Sequence, residues 1–92
     1  MIPGSRPHHC YLCGRWVEHP DTHHCLHGSR RQAADKYGLT VYLCRECHRA
    51  LHDKGIGDLE LRQDAQRYFE TDHTHSEWME IFGKSYLGDK IP

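Results

Sequence analysis

The sequence lacks the features of a membrane protein and has no excess of either charge. No apolar run approaches the roughly 20 residues that a membrane-spanning helix needs, and residues 1–9 contain no apolar signal core. The 12 basic residues are balanced by 13 acidic ones, for a formal net charge of -1. We therefore expect a cytosolic protein without a membrane partner, in which any nucleic-acid-binding surface must be local.

Histidine and cysteine are the residues present in excess, with 10 and 5 copies among 92 residues. A single domain of this size buries only a modest fraction of its surface, so it gains stability from a bound metal. An excess of both residue types indicates metal binding. In the cytosol, where thiols stay reduced, paired cysteines are typical of zinc sites rather than of disulfides.

Four of the cysteines form two C-x2-C pairs, Cys10 with Cys13 and Cys44 with Cys47. Four thiolates suit tetrahedral zinc, so we predict a structural zinc ion. This ion would connect the N-terminal segment to the start of the helix predicted over 45–54. Cys25 has no such partner, and we predict that it is a small buried apolar side chain. His8 and His9 lie close enough to Cys10 in sequence to compete as ligands, although a polar terminal segment is the favoured interpretation.

Apolar patterning and turn residues predict a small α+β fold. The predicted elements are a strand over 22–27, a short helical turn over 32–37, a strand over 39–43 and a helix over 45–54. Two packing helices follow, one over 59–71 with Asp58 as its N-cap and one opened by a Thr74–Glu77 capping box and ending near Gly83. The expected core is therefore a zinc-stapled pair of strands with one helix packed across it, covered by two C-terminal helices.

Four histidines fall at spacings that suit a second metal. His48 and His52 stand four apart, so both rings project from one face of the predicted helix. His23 and His24 are adjacent on a predicted strand and point to opposite sides, so one metal would not take both. If His23 faces the helix, three imidazoles converge around an ion that keeps room for water and a phosphate oxygen. His24 is then free to act as a general base beside that ion.

At these residues the chain resembles the HNH, or ββα-metal, endonucleases, in particular the small HNH-like proteins of phages and prophages. The matching motifs are the pair His23-His24, the stretch from Gly38 to His48, and His52. The resemblance covers roughly residues 10–52, and residues 81–87 are a weaker match to the extension of phage members.

The resemblance implies a role for each histidine. His23 is expected to bind the working metal, His24 to activate water, and His48 and His52 to complete the metal site. The family is also named for a middle Asn that helps to orient the base histidine, and this sequence contains no Asn. A backbone carbonyl near Gly38 or a side chain such as Gln32 or Asp35 would have to replace it.

A metal-dependent DNA endonuclease of phage or prophage DNA processing or recombination is the function that this resemblance implies, in a bacterial host cytoplasm. The expected partner is duplex or branched DNA, and a homodimer is compatible with the sequence but is not predicted. The working ion is Mg²⁺, Mn²⁺, Zn²⁺ or Ni²⁺. The expected phosphate contacts are Arg30, Arg31, Arg45 and Arg49. The expected division is an irregular lead-in over 1–9, an HNH-like core over 10–57 and a helical extension of the same domain over 58–92.

Two other functions remain open on the sequence alone. The first is a non-catalytic zinc module that binds nucleic acid or protein, with structural histidines or a second zinc in a closed site. The second is a zinc hydrolase acting on a small molecule, which three histidines and an open coordination position would permit. It ranks last because no segment outlines a deep apolar pocket.

Overall fold

A two-stranded antiparallel sheet forms the centre of the chain, and helices follow it. The computed structural model describes residues 1–87. Its elements are, in order, β1 (Asp21–His24), a 3-10 turn (Gly28–Arg30), α1 (Arg31–Lys36), β2 (Thr40–Leu43), α2 (Arg45–Lys54), α3 (Asp58–Asp72) and α4 (His75–Phe82). The small α+β class is confirmed. Residues 88–92, the end of the predicted C-terminal extension, lie outside the described residues.

The register of the two strands fixes which side chains face the core. His23 pairs with Val41 and His24 with Thr40, and both His23 and Val41 are buried. β1 ends at His24, so the prediction of a strand through residue 27 was too long. Cys25 still donates its N–H to the carbonyl of Leu39 at 3.0 Å, after which the chain bends into the 3-10 turn.

Helix α2 begins and ends where the sequence predicted. Its N-cap is Cys44, whose sulfur accepts the backbone N–H of Cys47, and its C-cap is Gly55 with a φ of 71°. A left-handed C-cap of this kind favours glycine. α2 packs against β1. This packing places the first two turns of α2 beside the histidines of β1.

Helices α3 and α4 supply much of the core. Their buried residues include Leu61, Ala65, Phe69, Trp78 and Phe82. The predicted capping box at the start of α4 is confirmed, because Thr74 and Glu77 exchange side-chain and backbone hydrogen bonds. The prediction that Asp58 caps α3 was wrong: the N-cap is Gly57, and the carboxylate of Asp58 instead bonds the side chains of His27 and of Arg62 within α3.

The first nine residues are irregular, as expected, and are held against β2. Ile2 is buried, and its N–H donates to the carbonyl of Thr40 at 3.0 Å. The Nδ1 atom of His8 lies 3.1 and 3.0 Å from the carbonyls of Val17 and Glu18, so this ring is engaged away from both metal-ligand clusters. No helix among residues 1–87 is long and apolar enough to cross a membrane.

Candidate metal centre and active site

The two cysteine pairs come together as one cluster. The sulfur atoms of its four members all lie within 4.8 Å of one another, and the members are Cys10, Cys13, Cys44 and Cys47. Each pair forms the same tight turn, in which the first sulfur accepts the N–H of the residue three positions on, at 3.5 Å in the first pair and 3.4 Å in the second. Four converging sulfurs can hold a structural zinc ion.

The pKa values of these thiols are shifted in opposite directions. Burial raises the pKa of Cys10, but backbone N–H groups of Cys44, Cys13 and Leu12 outweigh burial and lower this pKa to about 6. Burial raises the pKa of both Cys44 and Cys47. A divalent ion is what allows several thiols in one place to ionise together, because metal binding releases their protons.

Three histidines from β1 and α2 meet at a second cluster. The ligand nitrogens of His23, His48 and His52 lie within 4.8 Å of one another, and the Nε2 atoms of His48 and His52 are 3.1 Å apart. Two nitrogens bound to one zinc ion at about 2.0–2.1 Å lie roughly 3.0 to 3.4 Å apart, so this separation suits a shared ion. The structure thus brings together the three residues that the sequence analysis assigned to the working metal.

His23 shows directly that the cluster suits a cation. It is 2 % exposed, and its Nε2 is the buried side-chain nitrogen or oxygen that has no hydrogen-bond partner among residues 1–87. Burial, reinforced by the nearby rings of His27, His48 and His52, lowers the pKa of His23 to about 3. A neutral ring with an unpartnered buried nitrogen has a lone pair to donate, and a metal ion would satisfy it.

Asp21 orients the ring of His48. Its Oδ2 lies 3.0 Å from Nδ1 of His48. Because an ionised carboxylate only accepts hydrogen bonds, the proton of a neutral His48 sits on Nδ1 and its Nε2 keeps a lone pair toward His52. A carboxylate behind a ligand histidine is typical of protein metal sites.

His24 lies at the edge of the same pocket, with 19 % of its side chain exposed. Its Nε2 is 3.4 Å from Oδ1 of Asp35, on α1. Of the groups considered as substitutes for the missing Asn, Asp35 is therefore the one in contact with the ring. With Nε2–H directed at Asp35, Nδ1 is the nitrogen of His24 that remains able to accept a proton.

An open pocket of about 280 Å³ contains both the three clustered histidines and His24. It is lined by Thr22, His23, His24, His27, Gly28, Arg31, His48 and His52. Arg31 is thus the predicted phosphate contact that lines the pocket. Arg45 and Arg49 line a separate groove on the outer side of α2, and an Arg30 guanidinium nitrogen lies against Gly83.

Sequence reasoning missed His27 and the functional contacts of two aspartates. The Nε2 of His27 is 2.9 Å from Oδ1 of Asp58, and its ring centroid is 5.1 Å from that of His23. A signal was present, because His23 and His27 have the same four-residue spacing as His48 and His52. Asp21 lies two residues before His23, hence on the same face of the strand.

Comparison with models of known protein families, with curated proteins and with solved structures gives no match for this chain.

Proposed function

We propose that this protein is a metal-dependent DNA endonuclease of the HNH, or ββα-metal, type, which hydrolyses phosphodiester bonds during phage or prophage DNA processing or recombination in a bacterial host cytoplasm. The observation that carries the proposal is the convergence of His23, His48 and His52 in an open pocket with His24 at its edge. A metal site with a neighbouring unligated histidine combines the two parts that phosphodiester hydrolysis needs.

Two ions belong to this proposal, held by different residues. A structural zinc would be held by the four cysteines and would staple the two strands and α2 into a ββα core. A working divalent ion, Mg²⁺, Mn²⁺, Zn²⁺ or Ni²⁺, would be held by His23, His48 and His52. When bound, the working ion supplies Lewis-acid stabilisation of negative charge at the scissile phosphate and the leaving oxygen.

His24 is the general base in this mechanism. Its neutral ring accepts a proton at Nδ1 from the attacking water, and Asp35 accepts the Nε2–H and so stabilises the imidazolium that forms. Asp35 is a positioning residue, since it acts through the ring of His24.

Arg31 binds phosphate in the same pocket. Its guanidinium can donate two parallel hydrogen bonds to a phosphate beside the scissile bond, which places the DNA strand relative to His24. A local contact of this kind is consistent with the formal net charge of -1, which gives no long-range attraction to DNA.

Nicking of supercoiled plasmid DNA tests the proposal. The protein is incubated with a series of divalent ions and with an EDTA control, and His24→Ala is compared with His19→Ala, which removes a ring whose side chain is 91 % exposed. We expect His24→Ala to lower the nicking rate at least about 100-fold, the range of general-base catalysis, while the zinc content stays unchanged. Undiminished cleavage by His24→Ala would refute the assignment.

A non-catalytic zinc module is the second candidate, and the position of His27 favours it. His27 lies beside His23 and His52, with centroid distances of 5.1 and 5.7 Å, so its ring is placed to add a fourth imidazole to His23, His48 and His52 and close the site. Metal counting separates the two functions. One tight zinc plus one ion that exchanges with EDTA supports the enzyme, whereas two equally inert zinc ions support the module.

A further inference from the structure

His23 belongs to two groups of ligand atoms rather than one. Besides its group with His48 and His52, its ring nitrogen lies within 4.8 Å of a nitrogen of His27 and an oxygen of Asp58, which also lie within 4.8 Å of each other. We infer that the pocket holds two overlapping metal positions that share His23: an all-nitrogen set with His48 and His52, and a mixed set with His27 and Asp58 that takes a harder ion such as Mn²⁺. This inference rests on the proposed role of His23 as a metal ligand, but not on DNA cleavage.

The mixed set is already arranged for a shared ion. Nε2 of His27 and Oδ1 of Asp58 are 2.9 Å apart. Nitrogen and oxygen ligands bound at about 2.0–2.2 Å and at right angles to each other lie roughly 3 Å apart, so an ion can replace the proton between them without moving either side chain far.

Neighbouring residues hold Asp58 in this orientation. Its second oxygen, Oδ2, accepts a hydrogen bond from Nε of Arg62 at 3.0 Å, and Arg62 in turn donates to the hydroxyl of Tyr86 at 3.0 Å. The carboxylate therefore presents Oδ1 to His27 while its other oxygen is occupied. Such outer contacts commonly orient metal-ligating carboxylates.

Burial at His23 supplies an independent observation in favour of a ligand. The ring is 2 % exposed, and its Nε2 has no hydrogen-bond partner within the described part of the chain. His27 is as close to it as the helix histidines are, with centroid distances of 5.1 Å against 5.2 and 5.5 Å. A neutral imidazole has one nitrogen with a free lone pair. His23 can therefore serve one ion at a time, and occupation of the two positions is exclusive.

The two sets differ in the ions that they favour. Three imidazoles suit Zn²⁺ and Ni²⁺, whereas a carboxylate adds negative charge and oxygen character that favour Mn²⁺. The identity of the ion would thus decide whether it sits against α2 or against the start of α3.

Metal binding tests this inference without any measurement of activity. The full chain, with zinc on its cysteines and its histidines cleared by brief EDTA treatment, is titrated with Mn²⁺ and followed by the electron paramagnetic resonance of free Mn²⁺. Zn²⁺ is titrated in competition with a chromophoric chelator. We expect Asp58→Asn to weaken Mn²⁺ binding at least tenfold and Zn²⁺ binding less than threefold, and His52→Ala to show the reverse. Saturating Zn²⁺ should release the bound Mn²⁺.

Three further variants separate ligand loss from damage to α3. Arg62→Gln removes the contact that orients Asp58, so it should weaken Mn²⁺ binding about tenfold and Zn²⁺ binding less than threefold. Asp53→Asn removes an exposed carboxylate outside the pocket and should change Mn²⁺ affinity less than threefold. His27→Gln removes the proposed ligand on the loop and should weaken Mn²⁺ binding as much as Asp58→Asn does. If Asp58→Asn fails to fold, the Mn²⁺ affinity of His27→Gln tests the inference in its place. Unchanged Mn²⁺ affinity in Asp58→Asn and His27→Gln, equal losses for both ions, or simultaneous binding of Mn²⁺ and Zn²⁺ at the histidines would overturn the inference. Because plasmid nicking is not a readout, failure of the proposed nuclease function would be recognised separately.

Discussion

His23 is almost completely buried, and its Nε2 has no hydrogen-bond partner in the segment from residue 1 to residue 87. A buried polar group without a hydrogen bond costs about 1–3 kcal/mol of stability. Alternation along a strand predicted that His23 and His24 point to opposite sides, and the resemblance to the HNH endonucleases assigned His23 to the helix side. The spacing of Asp21 and His27 from His23 was a signal that the sequence analysis did not use, and their partners His48 and Asp58 could not be predicted because they belong to segments distant in sequence.

The first prediction concerns the stability of the protein when its histidine site is cleared of metal. Burial and neighbouring imidazoles lower the pKa of His23 from 6.5 to about 3 in the folded state. Between these values the unfolded state binds more protons, so the free energy of unfolding falls as the pH falls. From pH 7 to pH 5 this one group should remove about 2 kcal/mol.

Urea denaturation at the two pH values measures the effect. His23→Gln lacks the titrating ring, so its loss of stability on acidification should be smaller than that of the natural chain by that amount. His19→Gln removes an exposed ring and should retain the full pH dependence. Identical pH dependence in the natural chain and His23→Gln would contradict the assigned shift.

The second prediction concerns the orientation of the base histidine. Asp35→Ala should lower the nicking rate about 10- to 100-fold, the usual cost of losing an outer-shell partner, with unchanged binding of the working ion. Gln32→Ala is the matched control from the same helix and should leave the rate unchanged. A loss confined to Gln32→Ala would move the orienting role to that residue.

At the scale of elements, local signals predicted helices better than strands. α2 was predicted with its observed bounds because Gly55 and Gly57 mark its end, and the structure adds Cys44 as its N-cap. The capping box of α4 is equally local. β1 was predicted too long, because the bend after His24 follows from packing around Cys25 and not from the β-forming character of the residues. The N-cap at Gly57 was missed for a related reason: Asp58 suits an N-cap in isolation, but its carboxylate contacts His27 and Arg62.

The glycines on either side of the α2–α3 turn give the third prediction. Gly55 and Gly57 both have positive φ, 71° and 83°, and an added Cβ would meet open space at Gly55 but would lie 2.8 Å from a methyl group of Leu12 at Gly57. Gly55→Ala should therefore cost about 1–2 kcal/mol from backbone strain alone, and Gly57→Ala should cost more. Urea denaturation of both variants measures the order, and an equal or reversed order would count against the Leu12 contact.

At the scale of the molecule, the cysteine cluster connects segments that are distant in sequence. Cys10 and Cys13 precede β1, whereas Cys44 and Cys47 flank the start of α2. In a chain of 92 residues such a link compensates for a small core. The prediction that Cys25 is a buried apolar side chain is confirmed: it is fully buried, and burial raises its pKa to about 12.

The fourth prediction separates these two kinds of cysteine. Cys44→Ser should remove the tightly bound zinc and leave the chain largely unfolded, because metal binding and folding are coupled in domains of this size. Cys25→Ala should keep one tightly bound zinc and a native circular dichroism spectrum. Elemental analysis after dialysis measures the zinc content, and equal zinc in both variants would show that the cluster is not the zinc site.

Cys44 has two roles. Its sulfur is one of the four in the cysteine cluster, and the same sulfur accepts the N–H of Cys47 in the first turn of α2. The next residue of that helix is His48, and His52 follows one turn later. If both proposed ions bind, loss of zinc would loosen the helix that carries His48 and His52, and the two binding free energies would be thermodynamically linked. Such linkage is reciprocal, and the factor by which zinc tightens the working ion is the factor by which the working ion tightens zinc. A lower zinc concentration would then also lower the fraction of histidine pockets that hold the working ion.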